Sequence, residues 1–203
     1  VEYGGVTRFP QDGNPKPRMF RAESEHALVN RMGFNNPGAS AVRDRLISRR
    51  ASGKWPKVPI AANIGRSTKT PNESAPSDYS QTLDILWNHA DMFVLNVSSP
   101  NTPDLRELQE VDHLSSILSE CGRISERRGG GKPLLLKLSP DSTDDELLSS
   151  AQMAMRRGID GFVGRAVRYH VGFALFALGR SAAAGGAVED RRRGGGDQRV
   201  VMP

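Results

Sequence analysis

The chain has 203 residues, with 28 Lys and Arg against 23 Asp and Glu, four His, one Cys and 37% hydrophobic residues, the profile of one ordinary soluble domain long enough to bury a core. Cys121 stands alone, which excludes a disulfide scaffold, and no apolar run approaches the ~20 residues that span a bilayer. The net charge of +5 lies mostly in residues 164–203, which hold seven Arg, no Lys and three acids, so the nearly neutral body carries no nucleic-acid signature.

The amino end lacks Met and any signal-peptide order, so the numbering is expected to begin inside a longer protein. Short apolar, β-rich runs at 1–7, 58–64, 92–97, 133–138 and 159–163 predict five strands. Between the last four lie helical patterns. Asp78 is a candidate cap for a helix with Leu83, Leu86 and Trp87 on its apolar face, ending near His89. Residues 105–118 place Leu105, Leu108, Val111, Leu114 and Leu118 close to a 3.6-residue period, before a break at the glycines of 129–131. A third helix opens at Asp141 or Ser142, carries acids at 144–146 and closes near Gly158.

Continuous apolar strands alternating with helices predict a parallel sheet covered on both faces. Polar residues recur where strands stop: Asn63, then Asn96 with Ser98 and Ser99, then Lys137. Such ends converge at one mouth in a (β/α)8 barrel, so a TIM barrel is favoured over an open doubly wound sheet.

Lys137 sits among Leu134, Leu135, Leu136 and Leu138. Desolvating its charge costs several kcal/mol unless an anionic or electron-rich partner compensates; the plainer reading is an edge lysine snorkelling to water. Asn63, Asn96 and Asn101, with Asn30 and Asn35, can read imide edges because an amide both donates and accepts. The segment 98–103 also reads as a simple turn. Gly129-Gly-Gly-Lys132 is read as a flexible connector, since Pro133 stands where a phosphate loop needs Ser or Thr. The arginines at 123, 127 and 128 read as a solvated helix end, Trp55 and Trp87 as packing residues. His26, His89, His113 and His170 are scattered, so no metal site is expected.

Five ordered motifs resemble dihydroorotate dehydrogenase of the quinone-linked class: Gly13-Asn-Pro-Lys-Pro-Arg-Met-Phe-Arg21, Asn30-Arg-Met-Gly-Phe-Asn35, Asn63-Ile-Gly65, Asn96-Val-Ser-Ser-Pro-Asn-Thr102 and Lys137-Leu-Ser-Pro-Asp141. The resemblance implies a (β/α)8 barrel that binds FMN, oxidises dihydroorotate to orotate in pyrimidine synthesis and passes electrons to ubiquinone. It implies Ser99 as the base that takes the C5 proton, with Thr102 and Phe34 beside the proton path. It implies Asn30, Gly33, Phe34, Asn96, Asn101 and Thr102 at the substrate, and Gly5, Asn63, Asn96 and Lys137 at the flavin, where the ammonium of Lys137 faces the pyrimidine end of the ring. Serine at 99, where the soluble class and a dihydropyrimidine dehydrogenase domain use cysteine, points to the membrane-associated class. A mitochondrial inner-membrane location, with attachment through a segment preceding residue 1, follows from the resemblance alone.

The likeness stops near residue 163. Residues 164–203 hold eight Gly and seven Ala and are expected to be an irregular or disordered tail, as an altered reading frame or retained intron would produce. The domain division expected is therefore 1–163, an incomplete flavin-binding barrel, and 164–203, a low-complexity tail. With the later strands lacking, the chain is expected to hold flavin poorly and turn over little or nothing. The competing class is a non-catalytic remnant or an RNA-binding protein acting through the Arg/Gly tail; the lack of repeated Arg-Gly-Gly units disfavours it, and no nucleic-acid partner is expected.

Overall fold

The computed structural model describes residues 1–99, 111–139, 141–165 and 173–177. In chain order these form β1 (Glu2–Val6), β2 (Met19–Ala22), β3 (Ala27–Asn30), α1 (Ala39–Ala51), β4 (Ala61–Ile64), α2 (Ala75–Leu86), β5 (Met92–Asn96), α3 (Val111–Arg127), β6 (Leu134–Lys137), α4 (Asp144–Arg156), β7 (Gly161–Arg165) and β8 (Phe173–Ala177). Strands β1, β4, β5, β6 and β7 lie side by side in that order, all parallel, and helices α2, α3 and α4 connect successive members from β4 onward. This is the alternating α/β pattern of part of a (β/α)8 barrel. Strand β8 pairs antiparallel along β7, within the stretch expected to be irregular; the rest of that stretch beyond Arg165 lies outside the described residues.

The two faces of the sheet differ in content. One face sends Ala62, Ile64, Phe93, Leu95, Leu134 and Leu136 against Tyr79, Leu83 and Leu86 of α2, Leu114, Ile117, Leu118 and Cys121 of α3, and Met153 and Ala154 of α4. Each large side chain buried there stabilises the fold by about 1.5–3 kcal/mol. Trp87 stacks on Phe93 with ring centroids 5.5 Å apart. On the opposite face Ala61, Val94, Leu135 and Val163 form a smaller apolar layer. Period-two alternation then places Asn63, Asn96 and Lys137, two residues further along, on that second face.

Several local expectations are corrected. Asp78 does not cap α2; it is buried inside the first turn, where its carboxylate accepts from Ser67 N (2.7 Å), Ser67 Oγ (3.2 Å) and Thr70 Oγ1 (3.1 Å). The cap of α4 is Thr143, in a reciprocal capping box with Glu146, rather than Asp141 or Ser142. Helix α3 runs on to Arg127, and the part of the expected helix before Val111 lies outside the described residues. Lys132 is no loose connector residue: its ammonium donates to the carbonyls of Trp87 (2.5 Å) and Ala90 (2.6 Å). The arginines at 123, 127 and 128 are solvent-exposed as expected, and from there Arg128 Nε and Arg127 Nη2 reach the Asp84 carboxylate at 2.6 and 3.1 Å, which joins α3 to α2.

One device repeats at the amino ends of the strands. Asp91, just before β5, accepts from Ile60 N at 2.8 Å, and Asp160, just before β7, accepts from Leu134 N at 2.9 Å. Each carboxylate satisfies a main-chain donor at the start of the preceding strand. Asp91→Ala and Asp160→Ala are each expected to lower unfolding free energy by about 1–3 kcal/mol, the cost of stranding such a donor. Asn at either position should restore most of it, as read from urea midpoints.

Burial alone would raise the Asp84 carboxyl, but hydrogen bonds and charges from Arg128 and Arg127 outweigh it and hold the group below its ordinary value. A depressed value in the folded state means a contribution that is present above the unfolded Asp range and lost as pH falls through the folded value. The group is partly exposed, so Asp84→Asn should cost at most about 1 kcal/mol at pH 7, and in urea titrations the difference from the parent should shrink progressively as pH falls below the ordinary Asp range of about 3.9.

Candidate functional site

The carboxyl ends of β4, β5 and β6 carry the polar rim. Asn96 and Lys137 are in-register neighbours on β5 and β6, while Asn63 is level with Val94, one step lower. The Asn96 amide therefore reaches Asn63 diagonally, its Nδ2 donating to Asn63 Oδ1 at 3.2 Å. Asn63 Nδ2 in turn donates to Glu2 Oε1 on β1 at 2.9 Å. From the other side, Ser98 N and Ser98 Oγ both donate to Asn96 Oδ1, at 3.1 and 3.0 Å. Both asparagines are buried, whereas Lys137 and Ser99 are half-buried. Each amide nitrogen has a second N–H that these bonds do not use.

The backs of these strand ends are pinned. Tyr79 of α2, wholly buried, donates from its hydroxyl to the Asn96 carbonyl at 2.8 Å. Burial pushes its phenol far above the ordinary value, so it remains a neutral donor. After β4, Arg66 is buried and donates to the carbonyls of Ser67 and Thr70, which with the Asp78 bonds makes the 66–70 loop a rigid shoulder. The Cys121 thiol on the helix side is fully buried and its ionisation is likewise pushed up by that burial, so it plays the part of a small core residue.

Phe34 completes the rim from the β1 side. Its ring lies between Gly5 and Gly65, where an added Cβ would stand 2.8 and 2.7 Å from ring carbons. Phe34 itself has φ 53, a left-handed conformation uncommon for a bulky residue. Asn36 holds it there: its Nδ2 donates to the Phe34 carbonyl (2.6 Å) and to Thr7 Oγ1 (2.9 Å), and its Oδ1 accepts from Thr7 N and Gly38 N. Gln11 adds a second strut, donating to the Gly33 carbonyl and accepting from Thr68 N, both at 2.9 Å.

Asn63, Asn96 and Lys137 thus share one rim, with Ser99 three residues beyond Asn96 and Phe34 wedged beside Gly5. The room left by Gly5 is filled by the Phe34 ring. Gly33 lies in the loop behind Phe34, and Asn30 ends β3, its Oδ1 accepting from Met32 N at 3.3 Å. Asn101 and Thr102 lie outside the described residues. Sequence reasoning missed Glu2, Asn36, Gln11 and Tyr79. Only a buried tyrosine on the sheet side of α2 had any signal, through its apolar spacing with Leu83 and Leu86.

Spare amide N–H groups and an ammonium above an apolar layer fit a flat heteroaromatic ring with carbonyl edges. The fold is part of an α/β barrel whose polar side chains gather at the carboxyl ends of three neighbouring strands. A family model described as dihydroorotate dehydrogenase matches residues 1–174. The dihydroorotate dehydrogenase (quinone) of Natronomonas pharaonis is 47% identical over 163 residues, and that of an Anaeromyxobacter species 46% over 164, each match covering 80% of this chain. Among solved structures, dihydroorotate dehydrogenase from Eimeria tenella superposes with TM-score 0.72 at 37% identity in its ligand-free form, and 0.73 at 35% in complex with ferulenol, covering 80% and 81% of this chain. The chain belongs to the dihydroorotate dehydrogenase family. It spans 44% of the length of those two curated relatives and 50% of each of the solved chains.

The glycine slot makes a sharp test of the Phe34 placement. Gly65→Ala is expected to cost about 1–3 kcal/mol by overpacking against the ring. Phe34→Leu in the same chain should recover much of that loss, so a urea-unfolding double-mutant cycle should show coupling above about 0.5 kcal/mol.

Proposed function

We propose that this chain carries the ring-binding side of a quinone-linked dihydroorotate dehydrogenase, which oxidises (S)-dihydroorotate to orotate in pyrimidine synthesis with FMN as its cofactor and ubiquinone as acceptor. The observation that carries this reading is the in-register rim of Asn63, Asn96 and Lys137 over the apolar layer of Ala61, Val94 and Leu135. Asn63, Asn96 and Lys137, with the Gly5 backbone, would hold the flavin, and bound flavin would supply the hydride acceptor. Lys137 brings positive charge to an electron-rich ring edge.

Ser99 is the proposed base for the C5 proton of the substrate. A free serine hydroxyl is too weak for this at neutral pH, so Ser99 must pass the proton onward, with Thr102 and Phe34 flanking the path. Asn30, Gly33, Phe34, Asn96, Asn101 and Thr102 would contact dihydroorotate. Phe34 also closes the β1 side of the rim, its ring seated against Gly5 and Gly65.

Residues 1–163 are proposed as the flavin-binding barrel portion; beyond them Gly164 and Arg165 complete β7 and Phe173–Ala177 adds β8 to the edge of the same sheet. Quinone reduction implies work at a membrane surface. The two curated relatives are archaeal and bacterial, so they lend no support to a mitochondrial address. Among the described residues no helix is long and apolar enough to cross a membrane. The RNA-binding alternative rests on residues largely outside the described ones, and no observation favours it.

Flavin affinity is the primary readout, because the matched region is under half the length of the curated relatives and turnover by these 203 residues is expected to be slight. Titrating the chain with FMN should quench flavin fluorescence saturably, and orotate should then perturb the flavin absorbance. Lys137→Ala is expected to weaken FMN binding at least tenfold. Ser99→Ala should leave it within about twofold and slow dihydroorotate-dependent bleaching of the flavin by about 10²–10⁴-fold, the usual worth of a general base. Equal FMN affinity for Lys137→Ala and the parent would sink the reading.

A further inference from the structure

The hydrogen bonds along the rim have a direction. At one end stands the main-chain N–H of Ser98, which can only donate; at the other stands the Glu2 carboxylate, which when ionised can only accept. The N–H of Ser98 forces Asn96 to turn Oδ1 toward it, so the Asn96 amide nitrogen faces Asn63. Asn63 must then present Oδ1 to Asn96 at 3.2 Å and its nitrogen to Glu2 at 2.9 Å. The two ends together set both amide orientations.

We infer that Glu2 is a positioning residue of this site: it closes the file that the Ser98 N–H opens and locks the Asn63 amide, so that both amides keep one N–H for a ring ligand with acceptor edges. This rests on the ring-binding reading above and adds to it a residue and a specificity rule: the rim selects carbonyl and imine edges over N–H edges. Remove Glu2, and Asn63 is held only by the 3.2 Å bond it accepts from Asn96, so its amide nitrogen loses its acceptor and its last torsion loosens. Place a cation there, and the Asn63 oxygen is drawn to it, which turns two amide nitrogens toward each other and breaks the file in the middle. Glu2 is exposed on β1 and the core does not depend on it, so substitutions there should leave the fold intact.

The test uses the 203-residue chain with Glu2→Gln, Glu2→Ala and Glu2→Lys, read in two ways. Without flavin, the side-chain amide ¹H–¹⁵N resonances of Asn63 and Asn96 report the file directly. Glu2→Gln keeps an acceptor and should hold both pairs near their parent positions with slowed hydrogen exchange. Glu2→Ala should accelerate exchange at the Asn63 amide by tenfold or more, and Glu2→Lys should disturb both residues. With FMN, affinity should stay within about threefold for Gln, fall about tenfold for Ala and fall further for Lys. A role through charge alone would group Gln with Ala in both measurements, and that grouping overturns the proposal. Parent-like amide exchange in Glu2→Ala overturns it too. A parent chain that shows no saturable FMN binding, while the apo amide signals follow the expected order, would instead defeat the ring-binding reading and leave the assignment of Glu2 intact.

Discussion

The parallel register of β4, β5 and β6 is the constraint from which the rest follows. Because side chains alternate, the pairing of Asn96 with Lys137 and of Asn63 with Val94 puts two amides and an ammonium on one face, one step apart. A slip of one residue would turn Leu95 and Leu136 onto that face and bury Asn96 and Lys137 among the helices. Neither outcome is tolerable: the leucines would lose their core and the polar groups would be stranded without water or partners. The same energetics that exclude the slip therefore assemble the site.

What holds the register is spread over both ends of the strands. At the amino ends Asp91 and Asp160 tie each strand start to its neighbour. At the carboxyl ends Tyr79 grips the Asn96 carbonyl, and the buried Asp78 secures the loop after β4. In between, Phe93, Leu95 and Leu136 are keyed into α2 and α3. Salt bridges add little here, since those joining α2 and α3 through Asp84 are partly exposed. Buried hydrogen bonds from charged or polar side chains to main-chain groups are the stronger ties, because breaking one leaves its partner desolvated and unpaired.

Legibility of the fold tracked burial. The five parallel strands were readable because strands buried on both faces are continuous apolar runs, and their observed limits fall within the expected ones except that β7 runs on to Arg165. Helix α1 was not readable: Arg43, Arg45, Arg49 and Arg50 crowd its 13 residues, and Ala39 is its sole fully buried member. The β2–β3 hairpin escaped for a similar reason, with Met19 and Phe20 exposed and no apolar alternation to mark it. Asp78 resembled a cap because caps and buried acceptors draw on the same residue types. Only the position of Ser67 and Thr70 separates the two roles.

Taken alone, the sequence determined the strand–helix alternation, the polar residues at strand ends and the membership of the family, because each is written in neighbouring residues or short ordered motifs. Tertiary structure alone decided which way the amides of Asn63 and Asn96 point, that Phe34 is seated between Gly5 and Gly65, and that Glu2 and Tyr79 serve the rim. The physical reason is sequence separation. Glu2 and Asn63 are 61 residues apart, and Asn63 and Asn96 are 33 apart. A hydrogen bond's direction depends on what stands at the far end of such a chain, which no local pattern records.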